Sequence, residues 1–430
     1  MDQTPNYIIA FAFLGFAATL IAFMPIYTKK LKITYIIPLL LLGMILYLAG
    51  APLPWPNPIW AFESGKIIAE VIVIISLMTA GLKIGTTYTW KDWKKPLSLI
   101  VITMPLCMIA TFLLSYFVLG LNGPVSLLLA AVLAPTDPVL ASDIQLEEHQ
   151  DEKKRNTGLR YTLTGEAGIN DGVAFPFVFL AILWSQSGSF GAIDLGHFVW
   201  FYVIYKLAIG ALIGAVIGFL YSFFIHRHDS DNTSKILGGF IAVALTFFSY
   251  GIGEVAHGYG FISVFTTGIF IQYYQANRAA DRVESQMLEF VEETEKMLVV
   301  LWAIFFGGSL LSGILLYTDL KGIVFSLVIV IVLRPIFGYL AMLTTNFSTA
   351  KKWAISFFGV RGIGSFFYLS FALLHGDFKE YNQLFGIVSY VVLFSIVIHG
   401  FTSLRVIEYF NRQSEGSGKS NSEEGEIGEH

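Results

Sequence analysis

The chain has very little charge and almost no cysteine, and both shortages narrow what it can be. Only 13% of its 430 residues are Asp, Glu, Lys or Arg, against about 25% in an average soluble domain. The one cysteine, Cys107, excludes a disulfide within the chain. The eight histidines lack zinc-site spacing, and no phosphate loop or nucleophile–base motif occurs. These absences argue against an enzyme, a cofactor-dependent protein and a nucleic-acid-binding protein.

What the chain has instead is hydrophobic residues, which make up 55% of it and give a mean hydropathy of +0.67. Apolar runs long enough to cross a hydrocarbon core of ~30 Å can be placed thirteen times. The sequence therefore predicts an all-α polytopic membrane protein, with its first run a retained helix and not a signal peptide. The predicted spans are 7–27, 33–50, 66–86, 97–119, 124–142, 160–184, 197–225, 236–253, 260–275, 297–317, 320–343, 353–375 and 383–408.

Basic residues fall almost entirely on one side of these spans. With the N-terminus outside, twenty lysines and arginines lie in the inner connections and the C-terminal tail, whereas only Lys66, Lys321 and Lys379 lie outside. Because basic loops stay cytoplasmic, this asymmetry predicts an external N-terminus and a cytoplasmic C-terminus. Residues 411–430 are rich in Gly, Ser and Glu and are predicted to form a disordered cytoplasmic tail.

Several acidic residues lie inside predicted spans, where a carboxylate must be paired, protonated or bound to a cation, and three of them stand out. Asp137 is flanked by Pro135 and Pro138, which remove backbone donors and break the helix around it. The other two are Glu166 and Asp171 in the sixth span. A broken helix that carries an acid at mid-membrane is typical of a cation transporter.

The sixth span carries the densest set of polar residues. Glu166 and Asn170 are four residues apart and share a helix face, whereas Asp171 is turned by about 100°. At least one of the two acids needs a permanent partner, and Arg334 and Arg361 are both candidates. The remaining acid is free to titrate. Since burial favours its protonated form and a bound cation favours its ionised form, it holds a proton or a metal ion in turn.

A long internal repeat is also predicted. The fifth span is broken at Ala134–Pro138, and the twelfth is weakened by Gly359, Gly362 and Gly364. Interrupted helices at corresponding places of two halves are typical of inverted-repeat transporters. Spans 1–6 and 8–13 form the two halves, and their odd offset of seven gives them opposite topology.

Four short segments together resemble one known family. They are Ala134–Ala141 (APTDPVLA), Gly165–Gly172 (GEAGINDG), Arg334 with the following proline, and Gly359–Gly364 (GVRGIG). In this order they are similar to the NhaP-type monovalent cation/proton antiporters of the CPA1 family, which includes the animal sodium/proton exchangers. The resemblance covers nearly all of residues 7–408.

The resemblance implies an NhaA-like antiporter fold within a transmembrane domain of residues 1–410. Two inverted six-helix repeats form it, and their broken helices, spans 5 and 12, cross beside the ion. A mobile core of roughly 97–184 and 320–408 and a dimerisation part of roughly 7–60 and 197–275 are implied. So is a homodimer surrounded by lipid in a bacterial-type inner (plasma) membrane.

Site residues carry over one by one. The resemblance implies that Asp171 carries both the cation and the proton, with Thr136 and Asp137 ligating or orienting the ion. Asn170 corresponds to the asparagine of electroneutral exchangers, which implies the exchange of one proton for one monovalent cation. Sodium is the expected ion, with potassium and lithium as alternatives.

Three further charged residues receive structural roles from the same resemblance. Glu166 and Arg334 are implied to form a structural ion pair, and Arg361 to compensate the charge of Asp137 and of the helix ends at the crossing.

Two positions depart from the family pattern. Ala167 stands where a serine is common, and Thr79 where some relatives have a glutamate. Each change removes an oxygen near the ion, so a larger ion such as potassium becomes an alternative to sodium.

A second function class remains open at this point. Broken-helix inverted repeats also serve cation- or proton-coupled symporters of small organic solutes. Such a symporter needs a roomy polar cavity, and the predicted crossing offers only small residues and acids. A channel is disfavoured because no carbonyl filter sequence such as TVGYG occurs.

Overall fold

The computed structural model describes residues 6–51, 62–84, 90–138, 140, 157–228, 234–276, 281–379 and 381–426. Within these ranges every regular element is a helix, as the composition predicts. The main helices, numbered along the chain, are α1 (Asn6–Leu31), α2 (Ile36–Leu48), α3 (Phe62–Lys83), α4 (90–117), α5 (Gly123–Val132), α6 (Thr157–Ser187), α7 (195–228), α8 (Ser234–Val255), α9 (Gly260–Ala276), α10 (Asp281–Leu311), α11 (320–342), α12 (Thr349–Phe357), α13 (Ile363–His375) and α14 (Tyr381–Glu426).

The helices identify an integral, multi-pass membrane protein. Seven of them are long and apolar enough to cross a bilayer, counted over the described residues. Four shorter apolar helices accompany them: Ile36–Leu48, Gly123–Val132, Gly239–Val255 and Ile363–His375. The total of thirteen spans stays a prediction.

Both predicted helix breaks are present. Helix α5 ends at Val132, and the chain from there to Pro138 is not helical. The twelfth predicted span is split into α12 and α13, with residues 358–362 between them. Prolines at the first break and glycines at the second account for both interruptions, because neither residue type sustains a helix ladder well.

A second pair of matching irregularities supports the internal repeat. Helices α4 and α11 each contain a π-helical stretch, Leu99–Thr103 and Ile329–Leu333. In each case a proline follows two residues later, at Pro105 and Pro335. A wider turn accommodates a ring that would otherwise clash with the carbonyl four residues earlier. The two helices are the fourth and eleventh predicted spans, which are equivalent under the offset of seven.

Two predicted boundaries differ from the structure. Helix α14 continues to Glu426, into the 411–430 segment predicted to be disordered. The last four residues of that segment lie outside the described residues. Composition alone is misleading there, because the segment has no proline and extends a helix already formed. Helix α10 is also longer than the predicted span 297–317, since it starts at Asp281.

Helices α6 and α13 pack against each other and against several neighbours. Helix α3 contacts α13, α9 and α10, and α6 contacts α5, α9 and α13. Helices α7 and α9 pack backbone to backbone, because a Cβ on Gly214 would lie only 2.2 Å from the Ser263 carbonyl oxygen. The breaks of both repeats therefore lie beside α6, which carries the conspicuous acids. The division into a core and a dimerisation part stays a prediction.

Candidate ion-binding site

The two helix breaks touch each other directly. The backbone N–H of Asp137 donates to the carbonyl of Val360 at 2.8 Å. The Arg361 guanidinium donates through Nη1 to the carbonyls of Ala134 and Pro135, both at 2.5 Å. These carbonyls follow the C-terminus of α5, where a helix leaves acceptors unsatisfied and its dipole favours a cation. Arg361 therefore replaces the helical donors that the first break removes.

Asp137 supplies a hydrogen-bond acceptor at the second break, just as Arg361 supplies donors at the first. Its Oδ2 accepts a hydrogen bond from the N–H of Gly364 at 3.3 Å, in the first turn of α13. Its Oδ1 accepts one from the N–H of Leu140 at 3.1 Å. A carboxylate at a helix N-terminus is stabilised by the helix dipole and the free N–H groups. The Asp137 carboxyl group and the Arg361 guanidinium are thus each held at the end of a broken helix.

Helix α6 brings the remaining predicted site residues to this crossing. The Asn170 amide donates through Nδ2 to Thr136 Oγ1 at 2.7 Å. Asp171 faces α13, because a Cβ added to Gly364 would lie 3.4 Å from Asp171 Oδ1. The structure therefore brings Thr136, Asp137, Asn170 and Asp171 together, and each has a relative exposure of 5% or less.

Two oxygens at this crossing lack a donor. Asn170 Oδ1 and Asp171 Oδ2 are buried and have no hydrogen-bond partner among the described residues. A buried acceptor without a donor costs about 1–3 kcal/mol, and more when it is charged. A proton on Asp171 or a cation bound by both oxygens removes that cost. Carboxylate and amide oxygens are ligands that hard cations prefer.

The other two predicted ligands already have donors. Thr136 Oγ1 accepts from Asn170, and both carboxylate oxygens of Asp137 accept backbone N–H groups. They can still contact an ion with remaining lone pairs. The donor-free oxygens, however, are on Asn170 and Asp171.

Glu166 and Arg334 face each other across α6 and α11. Arg334 Nη2 donates to Glu166 Oε2 at 2.8 Å, and the two side chains are 4% and 3% exposed. Gly359 packs against the same guanidinium, because a Cβ there would lie 2.3 Å from Arg334 Nε. Of the two arginines that charge counting left open as partners, the structure pairs Glu166 with Arg334.

The chain that carries this site matches a known protein family. A family model described as "Sodium/hydrogen exchanger, transmembrane" matches residues 16–407. The chain belongs to the sodium/hydrogen exchanger family. The NhaP-type resemblance predicted from the four motifs is confirmed at this level.

Two relatives, both named as sodium/proton antiporters, show what the chain is similar to. The Halobacillus aidingensis protein named Na(+)/H(+) antiporter NhaH is 27% identical over 88% of this chain and 93% of its own length. Na(+)/H(+) antiporter 2 of Zygosaccharomyces rouxii is 29% identical over 46% of this chain. The chain spans only 25% of the length of that yeast relative.

The fold of this chain resembles that of a solved structure. The sodium proton antiporter MjNhaP1 of Methanocaldococcus jannaschii superposes with a TM-score of 0.72, covering 94% of this chain and 98% of that one. Identity is 18%, so this likeness concerns the fold alone. It confirms the predicted antiporter fold.

The site also contains residues that the sequence analysis did not single out. Ser395 Oγ accepts the N–H of Arg361 at 2.7 Å, and His399 Nε2 lies 3.0 Å from the Phe357 carbonyl oxygen. These two side chains of α14 hold both ends of the 358–362 break. Their only sequence signal is a polar pair four residues apart in an apolar span. The hydroxyl of Tyr368 bonds to Asp171, as described below.

The two departures from the family pattern are both buried. Ala167 is 2% exposed on α6. Thr79 on α3 donates its hydroxyl to its own helix, at the Ile75 carbonyl (3.1 Å). The buried Glu295 of α10 reaches the same helix, accepting from Ser76 Oγ at 3.0 Å. An acid is therefore present beside α3, although α3 does not carry it at position 79.

The glycines of the second break give a matched test of the crossing. A Cβ at position 362 would lie 2.3 Å from Leu140 Cδ1 and 2.4 Å from Asp137 Oδ2, whereas a Cβ at 364 would be in ordinary contact with Asp171. We expect Gly362→Ala to displace the Asp137 carboxylate and lower exchange about tenfold or more, an effect of at least ~1.4 kcal/mol. Gly364→Ala should keep activity within about threefold, which is under ~1 kcal/mol. Initial exchange rates per folded protein measure both; equal rates in the two variants would refute the described contact.

Proposed function

We propose that this protein is a secondary antiporter that exchanges protons for sodium ions across a membrane. One observation carries the proposal: the buried Asp171 presents a carboxylate oxygen without a donor at the crossing of two broken helices. Membership of the exchanger family and the names of the relatives support the same conclusion.

The proposed mechanism is competition at one carboxyl group. Burial penalises an ionised Asp171, so the carboxyl group binds either a proton or a cation when it is sealed from water. Asn170 Oδ1 completes the cation site as a neutral ligand. Binding one substrate displaces the other, and only the occupied site is stable enough to cross the membrane.

The fixed charges around the site support a one-to-one, electroneutral cycle. Glu166 is paired with Arg334, while Asp137 and Arg361 are seated on opposite helix ends. These four charges sum to zero. A protonated Asp171 and an ionised Asp171 with one bound monovalent cation are both neutral as well. The moving site therefore carries the same net charge in both directions.

Sodium is the proposed cation, with lithium and potassium as alternatives. The relatives are named for sodium, and the donor-free oxygens are of a type that suits a small hard cation. Ala167 and Thr79 remove oxygens that relatives supply, so water is expected to complete the coordination shell.

The surroundings of the site are proposed from the family resemblance and the packing. The exchanger domain lies in a bacterial-type inner (plasma) membrane, in contact with lipid, with its N-terminus outside and its C-terminus in the cytoplasm. A homodimer forms through residues 7–60 and 197–275. The core of 97–184 and 320–408 then moves against this dimerisation part. The direct α7–α9 backbone packing supports treating these two helices as one rigid unit.

The symporter alternative has no support among the relatives. The four crossing residues are each 5% exposed or less, and two of them, Asn170 and Thr136, bond directly, which suits an ion but not an organic solute.

The test uses purified protein in liposomes with an imposed pH gradient. We expect sodium chloride alone to dissipate the gradient, and choline chloride to leave it intact. Lithium and potassium are then added separately to rank the ions. A gradient that collapses only when an organic solute accompanies the cation would overturn antiport in favour of symport.

A further inference from the structure

Tyr368 connects α13 directly to the acid that carries the substrate. Its hydroxyl donates to the main-chain carbonyl of Asp171 at 2.5 Å and lies 3.3 Å from Asp171 Oδ1. Tyr368 is 0% exposed and Asp171 is 1% exposed. The contact spans 197 positions of sequence, so it exists only in the folded crossing.

The backbone beside Asp171 can accept this extra donor because its helix is weakened there. Pro176 lies inside α6 and has no N–H for the carbonyl of Gly172, which is the residue after Asp171. Where a helix lacks one backbone hydrogen bond, the nearby carbonyl groups can tilt away from the helix axis more easily. The Tyr368 hydroxyl supplies a tertiary hydrogen bond at this weakened point.

Aromatic packing fixes where that hydroxyl lies. The Tyr368 ring meets Phe175 edge to face with centroids 5.1 Å apart, and it contacts Phe367 at 5.3 Å and Phe261 at 6.2 Å. Phe175 is one turn beyond Asp171 on α6, whereas Phe261 belongs to α9. A ring enclosed on three sides has little rotational freedom, so its hydroxyl is held in place before any ion binds.

The two carboxylate oxygens of Asp171 are consequently unequal. Oδ1 lies beside the hydroxyl, whereas Oδ2 has no partner among the described residues. A freely rotating carboxylate would exchange these oxygens. A hydroxyl close to one of them, with the main chain held by the same group, restricts that rotation.

We infer that Tyr368 is a positioning residue for cation binding, which holds Asp171 so that Oδ2 faces the ion together with Asn170 Oδ1. This inference rests on the proposed function of the same site. The acidic and phenolic groups facing this position are Asp137 at the first break and Tyr250 on α8. Tyr368 acts on affinity and selectivity, because a preorganised ligand costs less to order when the ion arrives.

The test compares two tyrosine-to-phenylalanine changes in the same aromatic cluster. Tyr368→Phe removes the hydroxyl on Asp171. Tyr259→Phe is the matched control, because its ring stacks on Phe175 at 5.1 Å but its hydroxyl bonds to the Tyr202 carbonyl at 2.6 Å. Both variants keep the ring and lose one buried hydroxyl.

Sodium-dependent exchange in liposomes is measured over a range of sodium concentrations at one pH. For Tyr368→Phe we expect the sodium KM to rise about three- to tenfold, the size of one hydrogen bond, with Vmax within about twofold. The ratio of lithium to sodium KM should also change. Tyr259→Phe should leave both quantities at their wild-type values.

The experiment distinguishes failure of the positioning role from failure of the proposed function. An unchanged KM in Tyr368→Phe, or equal changes in both variants, would overturn the positioning role and leave sodium/proton exchange standing. A wild-type protein without cation-dependent exchange would instead refute the proposed function. Sodium-dependent thermal stabilisation of each purified variant provides a second readout that does not need transport, and it should weaken only in Tyr368→Phe.

Discussion

Asp171→Asn is expected to abolish cation/proton exchange and to leave the protein folded. The amide has the shape of the carboxyl group but cannot release a proton or carry a negative charge. The Tyr368 bond to the main-chain carbonyl does not depend on the side chain, so the local structure should survive. Exchange in liposomes should fall to that of empty vesicles.

A matched control makes this result specific. Asp377→Asn introduces the same chemical change at an exposed acid near the end of α13 and should exchange at the wild-type rate. Size-exclusion profiles and thermal unfolding establish that both variants are folded. Wild-type exchange by a folded Asp171→Asn protein would refute the assignment of the site.

Glu166→Ala is expected to cause the largest loss of stability. Its removal leaves the Arg334 guanidinium, 3% exposed, without its carboxylate partner. An uncompensated buried charge of this kind costs about 3–5 kcal/mol. Arg334→Ala should cost a similar amount for the complementary reason. Combining the two changes should recover part of the loss, because no unpaired charge then remains.

Thermal or denaturant unfolding of the four proteins gives the coupling energy of this pair. The matched control is the Asp92–Lys95 pair on α4, at 2.9 Å but with side chains 30% and 27% exposed. Asp92→Ala should cost less than about 1 kcal/mol, because solvent screens a partly exposed pair. A double variant no more stable than the less stable single variant would show that Glu166 and Arg334 are not energetic partners.

The parts of the fold predicted from the sequence are those that depend on local signals. Apolar run length located the helices, and Pro135, Pro138 and the glycines near 359–364 located the breaks. These residues act on the chain within a few positions of themselves, so no tertiary information is needed. Family membership followed from the same segments and is confirmed.

The features that the sequence could not predict depend on contacts between residues far apart in the chain. Charge counting required a partner for an acid in α6 but could not choose between Arg334 and Arg361; the choice is made by a contact across 168 positions. Arg361 contacts the carbonyls of a helix end that exists only because of the break. Tyr368 is one of twenty tyrosines, and nothing in its neighbours along the chain marks it.

Helix α10 illustrates a misleading local signal. Its first half carries five glutamates beside apolar residues, a local pattern typical of an amphipathic helix at the membrane surface. The structure has one continuous helix, with Glu295 buried against Ser76 and Glu292 paired with Lys83 at 2.8 Å. These acids can be buried because they have partners on α3. The sequence of α10 alone cannot show those partners.

In the proposed mechanism, Asp171 alone carries either one proton or one monovalent cation in each cycle. The most direct test of this mechanism is sodium-driven proton exchange in liposomes, with the membrane potential set by potassium and valinomycin at zero and then at a large negative value. We expect equal rates at both potentials, because the site is neutral in both loaded states. A cycle that moved one extra charge would gain about 2.3 kcal/mol per 100 mV. A clear dependence of the rate on voltage would rule out a single titrating carboxyl group and show that a second acid, foremost Asp137, also titrates during transport.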